Sequence, residues 1–226
     1  MTSAILASDS QAEEGTEVER AIRFLREAIL RGDYVPGQRL RQKELTEQLD
    51  MSPTPIREAL RVLEAQGFLK RVPYTGVHVA EVSPEESEEI SVIRSVLEGL
   101  ATKMAVPNLT AEDIADLEAL VEQMETSWRQ VNLGRLRRSN YRFHSLIYEK
   151  SCSRRLCDII VSLWPRFATD LLWMIPGRAE RSIRQHHAIL DAIREGDAQA
   201  AADLMSDHIL TAGESITRFL ESQQSE

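Results

Sequence analysis

Five histidines, His78, His144, His186, His187 and His208, hold most of the chemical potential of this chain. Asn140 and His144 stand four apart, a spacing that puts both side chains on one face of a helix. His186 and His208 fall in two further helical stretches. Convergence of those three helices would surround one cation with three imidazoles and an amide oxygen. Such a set suits Zn, Ni, Mn or Fe and leaves a position for water or an anionic ligand. On spacing alone the alternative stays open, because buried histidines are more often satisfied by hydrogen bonds. Arg94 and Glu98 form an i,i+4 pair that contributes only a few tenths of a kcal/mol on a solvated face. A di-iron helical bundle requires Glu-x-x-His pairs, and the chain has none. A hydrolase using a single metal and an activated water is conceivable, but no general base stands out beside the histidines.

A second set of residues suits nucleic acid. In a helix-turn-helix the second helix of the unit lies in the major groove, and here that helix is 53–66. Its apolar stripe, Ile56, Ala59, Leu60 and Leu63, turns Thr54, Arg57, Glu58 and Arg61 outward. Arg57 on the first outward turn suits bidentate contact with guanine. Ser52 and Thr54, with the N–H groups at the helix start, suit phosphate. Lys43 on the preceding helix is placed to touch the DNA backbone. The wing tip Tyr74-Thr75-Gly76, with His78 beyond it, is placed to enter the flanking minor groove.

Periodicity supplies the elements that must position these groups. Val18, Ala21, Ile22, Leu25 and Ile29 make one face of a helix over 17–31, stopped by Gly32-Asp33. Pro36-Gly37 makes a turn, a short helix follows at 42–49 with Leu45 and Leu49 inward, and Asp50-Met51 breaks it. Ser52 reads as the cap of the third helix, with Pro53 at its first position and Pro55 still in the first turn. FLKRV, PYTG and VHVAEV read as a two-stranded hairpin. Ser83-Pro84-Glu85-Glu86 reads as a capping box that starts a helical half. Helices are expected at 84–105, 110–129, 132–150, 153–174, 178–195 and 197–221. The expected fold is mainly α: an N-terminal winged helix-turn-helix of three helices plus a hairpin, then an all-α bundle of about six helices. The expected divisions are a disordered tail at 1–16, the winged helix at 17–80, a linker at 81–83 and the helical domain at 84–221.

Composition fits this division. The 226 residues carry a net charge of −9, too acidic for a protein that coats nucleic acid everywhere. Residues 17–80 nevertheless hold 11 Lys and Arg against 9 Asp and Glu, a basic-leaning module on an acidic body. Cys152 and Cys157 suggest no disulfide framework, and a reducing cytoplasm is the simpler reading. No apolar run approaches a membrane span, and the first residues lack the basic region of a secretory signal.

With these motifs in place, residues 39–79 resemble the GntR family winged helix-turn-helix. The matching text is PGQRL, KELTEQLDMSPTPIREALRVLEAQGFL and PYTGVHV. The resemblance implies DNA contacts at Lys43, Thr54, Arg57 and Gly76. It departs at Pro53, where many members carry Arg, which implies a lost contact and an altered operator preference. Residues 84–215 resemble the FCD ligand-binding domain of the FadR branch, through EISVIRSVLEGLAT, NYRFHSLIY and QHHAILDAIREGDAQAAADLMSDHI. That resemblance implies metal ligation by Asn140, His144, His186 and His208, and leaves out His187. Asn in place of the usual Asp removes one negative charge, which weakens the metal and tolerates an acidic effector. It also implies that Arg94, in R-x-x-L-E, faces the cavity and holds a carboxylate effector, with Arg138 and Arg166 as further candidates. The implied protein is no enzyme but a homodimeric, cytoplasmic repressor of a palindromic double-stranded DNA operator, with a divalent metal, zinc first, and a small carboxylate effector. A FadR-type acyl-CoA sensor or a metal-free effector sensor is the alternative; a metal in the cavity disfavours the former.

Overall fold

Apolar residues at helical spacing fix almost every element of the computed structural model, which describes residues 15–30, 32–164 and 169–224. The expected tail lies outside the described residues except for its last two. One of these, Thr16, caps α1 (Glu17–Leu30): its hydroxyl accepts the Glu19 N–H at 3.2 Å and its own N–H donates to the Glu19 carboxylate at 2.8 Å. α1 buries Ala21, Leu25, Ala28 and Ile29 and packs on α3 (Pro53–Ala65), which buries Ile56, Ala59, Leu60 and Leu63. Between them lies α2 (Gln42–Leu49), with Leu45 buried and Leu49 partly so. It ends at Asp50 with φ 49°, a left-handed conformation that Asp tolerates. Gln42 Nε2 donates to the Pro53 carbonyl at 3.0 Å and ties α2 to the start of α3.

The hairpin is β2 (Leu69–Val72) and β3 (Gly76–Val79), antiparallel, with Leu69 opposite Val79 and Val72 opposite Gly76. A third strand, β1 (Arg39–Leu40), joins the other edge of β3, with Arg39 opposite His78. Sequence analysis did not anticipate it, because two residues carry no alternation to detect. Leu40, Leu69, Val77 and Val79 close the core beneath the sheet.

The second half is helical. α4 (Pro84–Ala105) starts at Ser83, whose hydroxyl accepts the Glu86 N–H. A 3₁₀ turn, Val106–Asn108, leads to α5 (Ala111–Arg129), which a Thr110/Asp113 capping box begins. α6 (Leu133–Lys150), α7 (Arg154–Leu163), α8 (Thr169–Leu172), α9 (Arg178–Arg194) and α10 (Ala198–Gln224) follow. Within the single helix expected at 153–174 the described residues form α7 and α8, and residues 165–168 between them lie outside the described residues. α7 ends at Leu163, and Trp164 after it still has helical torsions, φ −55° and ψ −43°. α6 also reaches the N-terminal part: Arg137 donates to the Gly32 carbonyl at 2.9 Å, and Arg138 lies 3.7 Å from the Asp33 carboxylate. No helix among the described residues is long and apolar enough to cross a membrane.

α4 and α10 pack along much of their length, and Gly99 permits the approach. A Cβ there would collide with the Ser206 hydroxyl and sit 3.1 Å from the Ala202 carbonyl oxygen. Moving Ser206 would break its 2.9 Å bond to the Ser95 carbonyl. Gly99→Ala is therefore expected to lower stability by about 1–2 kcal/mol, the overpacking outweighing the better helix propensity of Ala. Urea unfolding of the two proteins checks this.

Candidate functional site

Three helices bring three imidazoles to one buried point. α6 supplies His144, α9 supplies His186 and α10 supplies His208, and one ring nitrogen of each lies within 4.8 Å of the others. All three rings are buried. His144 and His208 stack at 5.3 Å, while His186 meets His208 edge-on at 4.6 Å. Asn140 is buried one turn before His144 on the same face of α6.

The hydrogen bonds fix which nitrogens remain. His186 Nδ1 donates to the Ser182 carbonyl at 2.7 Å, and its Nε2 is fully buried with no hydrogen-bond partner. His208 Nδ1 pairs with Gln185 Oε1 at 3.2 Å. That oxygen also accepts from Arg178 at 3.1 Å, so His208 Nδ1 carries the proton. His144 Nδ1 lies 3.1 Å from the Tyr148 hydroxyl, which donates in a short bond to Glu98 and so accepts from His144. Each imidazole thus uses Nδ1 as a donor to the protein, which leaves Nε2 as a bare lone pair. Outer hydrogen bonds of this kind orient histidine ligands on metals, and an orphaned buried nitrogen needs such a partner. The triad can hold a metal ion.

Burial, followed by the neighbouring His144, holds His186 well below its ordinary value; burial and then His186 do the same to His208. Both are neutral in the folded chain, as metal ligation requires. The sign of the linkage follows: an unfolded histidine takes up a proton below about pH 6.5 and the folded one does not. Protein stripped of metal is expected to keep full stability above that pH. It should lose on the order of 1 kcal/mol per pH unit for each of the two histidines as pH falls further. Chemical denaturation between pH 7.5 and 5 measures the slope.

Glu98 was expected only as the solvated partner of Arg94, with no carboxylate beside the histidines. Instead both side chains are buried, with Arg94 Nε 2.6 Å from Glu98 Oε1. Glu98 Oε2 sits 3.5 Å from His144 Nδ1. Burial pushes the Glu98 carboxyl up, but Arg94 and His144 outweigh it and hold the group below its ordinary value. The carboxylate lies behind His144, away from Nε2, so it orients the ring and is not a base on the open side. Arg94 also lies over the Trp164 ring at 4.7 Å. His187 turns to Glu125 on α5, at 2.7 Å, and stays out of the triad. Arg138 faces Asp33, and Arg166 lies outside the described residues.

The N-terminal part presents a basic hollow of about 360 Å³, lined by Lys43 and Arg57 with Gly76 at the wing. Arg39, Arg41 and Arg71 line it too, and sequence reasoning missed them. The clustered bases of RLRQK and KR were a visible signal, but only the pairing of β1 with β3 brings them together. Arg41 is paired with Glu44 and Arg71 with Glu64, each at 2.9 Å. Arg57 has no hydrogen bond or ion pair among the described residues. Thr54, Arg57, Glu58 and Arg61 are exposed on α3.

Two expectations change. Ser52 stands at the N-cap position, but its hydroxyl makes no capping bond. Proline at 53 and 55 leaves Thr54 as the sole N–H donor among the first three residues of α3. A phosphate at this helix start would meet the Ser52 and Thr54 hydroxyls and one N–H. His78 is not free to enter a groove, because its ring bridges the Gly37 carbonyl at 3.0 Å and the Thr75 hydroxyl at 3.1 Å. Tyr74, fully exposed with φ 65°, forms the wing tip.

Comparison with known proteins bears on both sites. Residues 17–79 match the profile of bacterial regulatory proteins, gntR family, and residues 89–211 match that of the FCD domain. The HTH-type transcriptional regulator McbR of Escherichia coli (strain K12) is 34% identical over 186 residues, 79% of this chain and 84% of that protein. A solved structure of E. coli McbR/YncC superposes with a TM-score of 0.79 at 29% identity, covering 93% of this chain and 99% of that one. The HTH-type transcriptional repressor RspR of the same organism is 24% identical over 89% of each chain. A putative transcriptional regulator GntR from Rhodococcus sp. RHA1 shares the fold, with a TM-score of 0.71 at 21% identity over 89% of this chain and 98% of that one.

Proposed function

Because the chain belongs to the gntR family of bacterial regulatory proteins and carries an FCD domain, a family of transcriptional regulators and not of enzymes, we propose that it is a cytoplasmic, homodimeric repressor controlled by a small organic acid. In this reading the winged helix at 17–80 reads one half-site of a palindromic operator, and its copy in the second protomer reads the other. The linker at 81–83 joins it to the sensing domain at 84–221. Asn140, His144, His186 and His208 hold a divalent metal, zinc first, with nickel, manganese or iron also suited to the set.

The observation that carries the sensing half is the buried, unpartnered Nε2 of His186 turned toward two other imidazoles. A bound cation would supply an open coordination position for one oxygen of the acid. The chain's own residues do the rest. Ser182, Gln185 and the Glu98–Tyr148 pair hold each ring in the ligating tautomer. Arg94 keeps Glu98 ionised behind His144. The acid changes operator affinity to the extent that it prefers one arrangement of the helices over another. The name of the relative RspR supports repression.

Support for the homodimer comes from α4, where Val92, Val96 and Leu100 follow at four-residue steps and are 52%, 66% and 47% exposed. An apolar stripe of that kind suits an isologous contact with a second copy. For DNA reading the test is Arg57→Ala. Binding to the specific operator is expected to weaken by about 1–3 kcal/mol, with discrimination lost at one base pair. Fluorescence anisotropy against a set of operator variants measures it, and an unchanged preference at every position would remove Arg57 as a base reader.

A further inference from the structure

Arg178 at the first turn of α9 is 3% exposed, yet no carboxylate lies within ion-pair distance of it among the described residues. Its guanidinium donates to Gln185 Oε1 at 3.1 Å and to the His208 carbonyl at 3.4 Å, both neutral acceptors. Its Nε is buried and unpartnered. The acid that acts on it through space, Asp207, is exposed and occupied with Gln185. The position compounds the problem, since a cation near a helix N-terminus opposes the helix dipole. Burial, and then Arg181, bring the group down to about 10, which leaves it charged at neutral pH. A buried charge without a counter-charge is strongly unfavourable, so this residue calls for an anion.

Its neighbourhood says which anion. Gln185 Oε1 links Arg178 directly to His208 of the triad. Among the buried side chains around the triad Arg94 and Glu98 cancel, the amide of Asn140 is neutral, and Arg178 leaves one positive charge over. A divalent cation at the triad adds two more. One carboxylate balances too little of this, while a second acid group on the same small molecule has a cation to meet.

We infer that Arg178, not Arg94, receives an acid group of the effector, and that the effector is a compact organic anion with two or more acid groups. One group addresses the triad and another addresses Arg178. The inference rests on the proposed metal-bearing sensor but assigns a residue and a ligand class of its own.

The test uses the whole 226-residue chain loaded with zinc, with malonate, succinate and citrate as probes and acetate as the single-acid control. Calorimetry on the wild type is expected to give at least tenfold tighter binding for the best multi-acid probe than for acetate. Arg178→Gln should abolish that difference while bound zinc is unchanged. Stripped of zinc and ligand, Arg178→Gln should unfold at higher urea than the wild type, because an uncompensated charge has gone. Equal affinity of wild type and Arg178→Gln for every multi-acid probe would overturn the inference, as would a wild type that prefers none of them to acetate. Should the glutamine variant not fold, Arg178→Lys decides, with a severalfold loss expected and no loss overturning. The metal reading fails separately. If wild type and His144→Ala/His186→Ala hold equal zinc, the inference stands on anion binding to metal-free protein that Arg178→Gln removes, and falls without it.

Discussion

Desalted wild-type protein is expected to retain about one equivalent of divalent metal per protomer, and the His144→Ala/His186→Ala variant none. The reasoning starts from the three lone pairs. With every Nδ1 committed to the protein, the Nε2 atoms of His144, His186 and His208 have no other use within the fold. Two deletions leave one imidazole and an amide, too few donors for a site that normally needs three protein ligands. Metal present at a thousand times its dissociation constant stabilises the folded chain by about 4 kcal/mol, so zinc should raise the melting temperature of the wild type and leave the variant unmoved. Gln185→Leu, which frees His208 to rotate, should weaken metal about 10–100-fold without abolishing it. Elemental analysis and zinc titration read all three proteins, and equal metal in wild type and double variant would remove the site.

The second large effect is on stability. Glu98→Gln is expected to destabilise the chain by about 3–5 kcal/mol, since it leaves Arg94 charged in the interior and takes from Tyr148 its strongest acceptor. Replacing both members, as Arg94→Met/Glu98→Leu, should recover most of that loss, because breaking a buried pair is far worse than substituting it. The pH dependence has a definite sign. The carboxyl is held below its ordinary value of 4.5, so its contribution is complete above that pH and is lost as pH falls through the lower folded value. Urea melts at pH 7 and pH 4 measure both effects. A Glu98→Gln variant within about 1 kcal/mol of wild type would contradict the buried network.

What was legible from the sequence follows the strength of each physical signal. Helices with one apolar stripe, such as α1 and α3, announce themselves, and the four-residue step from Asn140 to His144 fixes a shared face. The two-residue β1 has no period to find. Glu98 and Arg178 were hardest to read, because charged residues on helices ordinarily face water and only the packing of α4, α6, α9 and α10 shows that these do not. Gly99 gave no hint of its role, which depends on Ser206 more than a hundred positions away in the chain.

The paired prolines of α3 have a consequence for association as well as for contacts. Pro53 and Pro55 fix two backbone torsions at the point where the reading helix begins, and they do so in the unfolded chain as much as in the folded one. The segment from Met51 to Ile56 therefore has little conformational freedom left to surrender when DNA arrives. Binding energy from the surrounding basic residues is not drained into ordering this turn. A phosphate donor removed from the helix start is exchanged for rigidity at the same place, so this reader should meet its operator with its recognition helix already in the bound conformation.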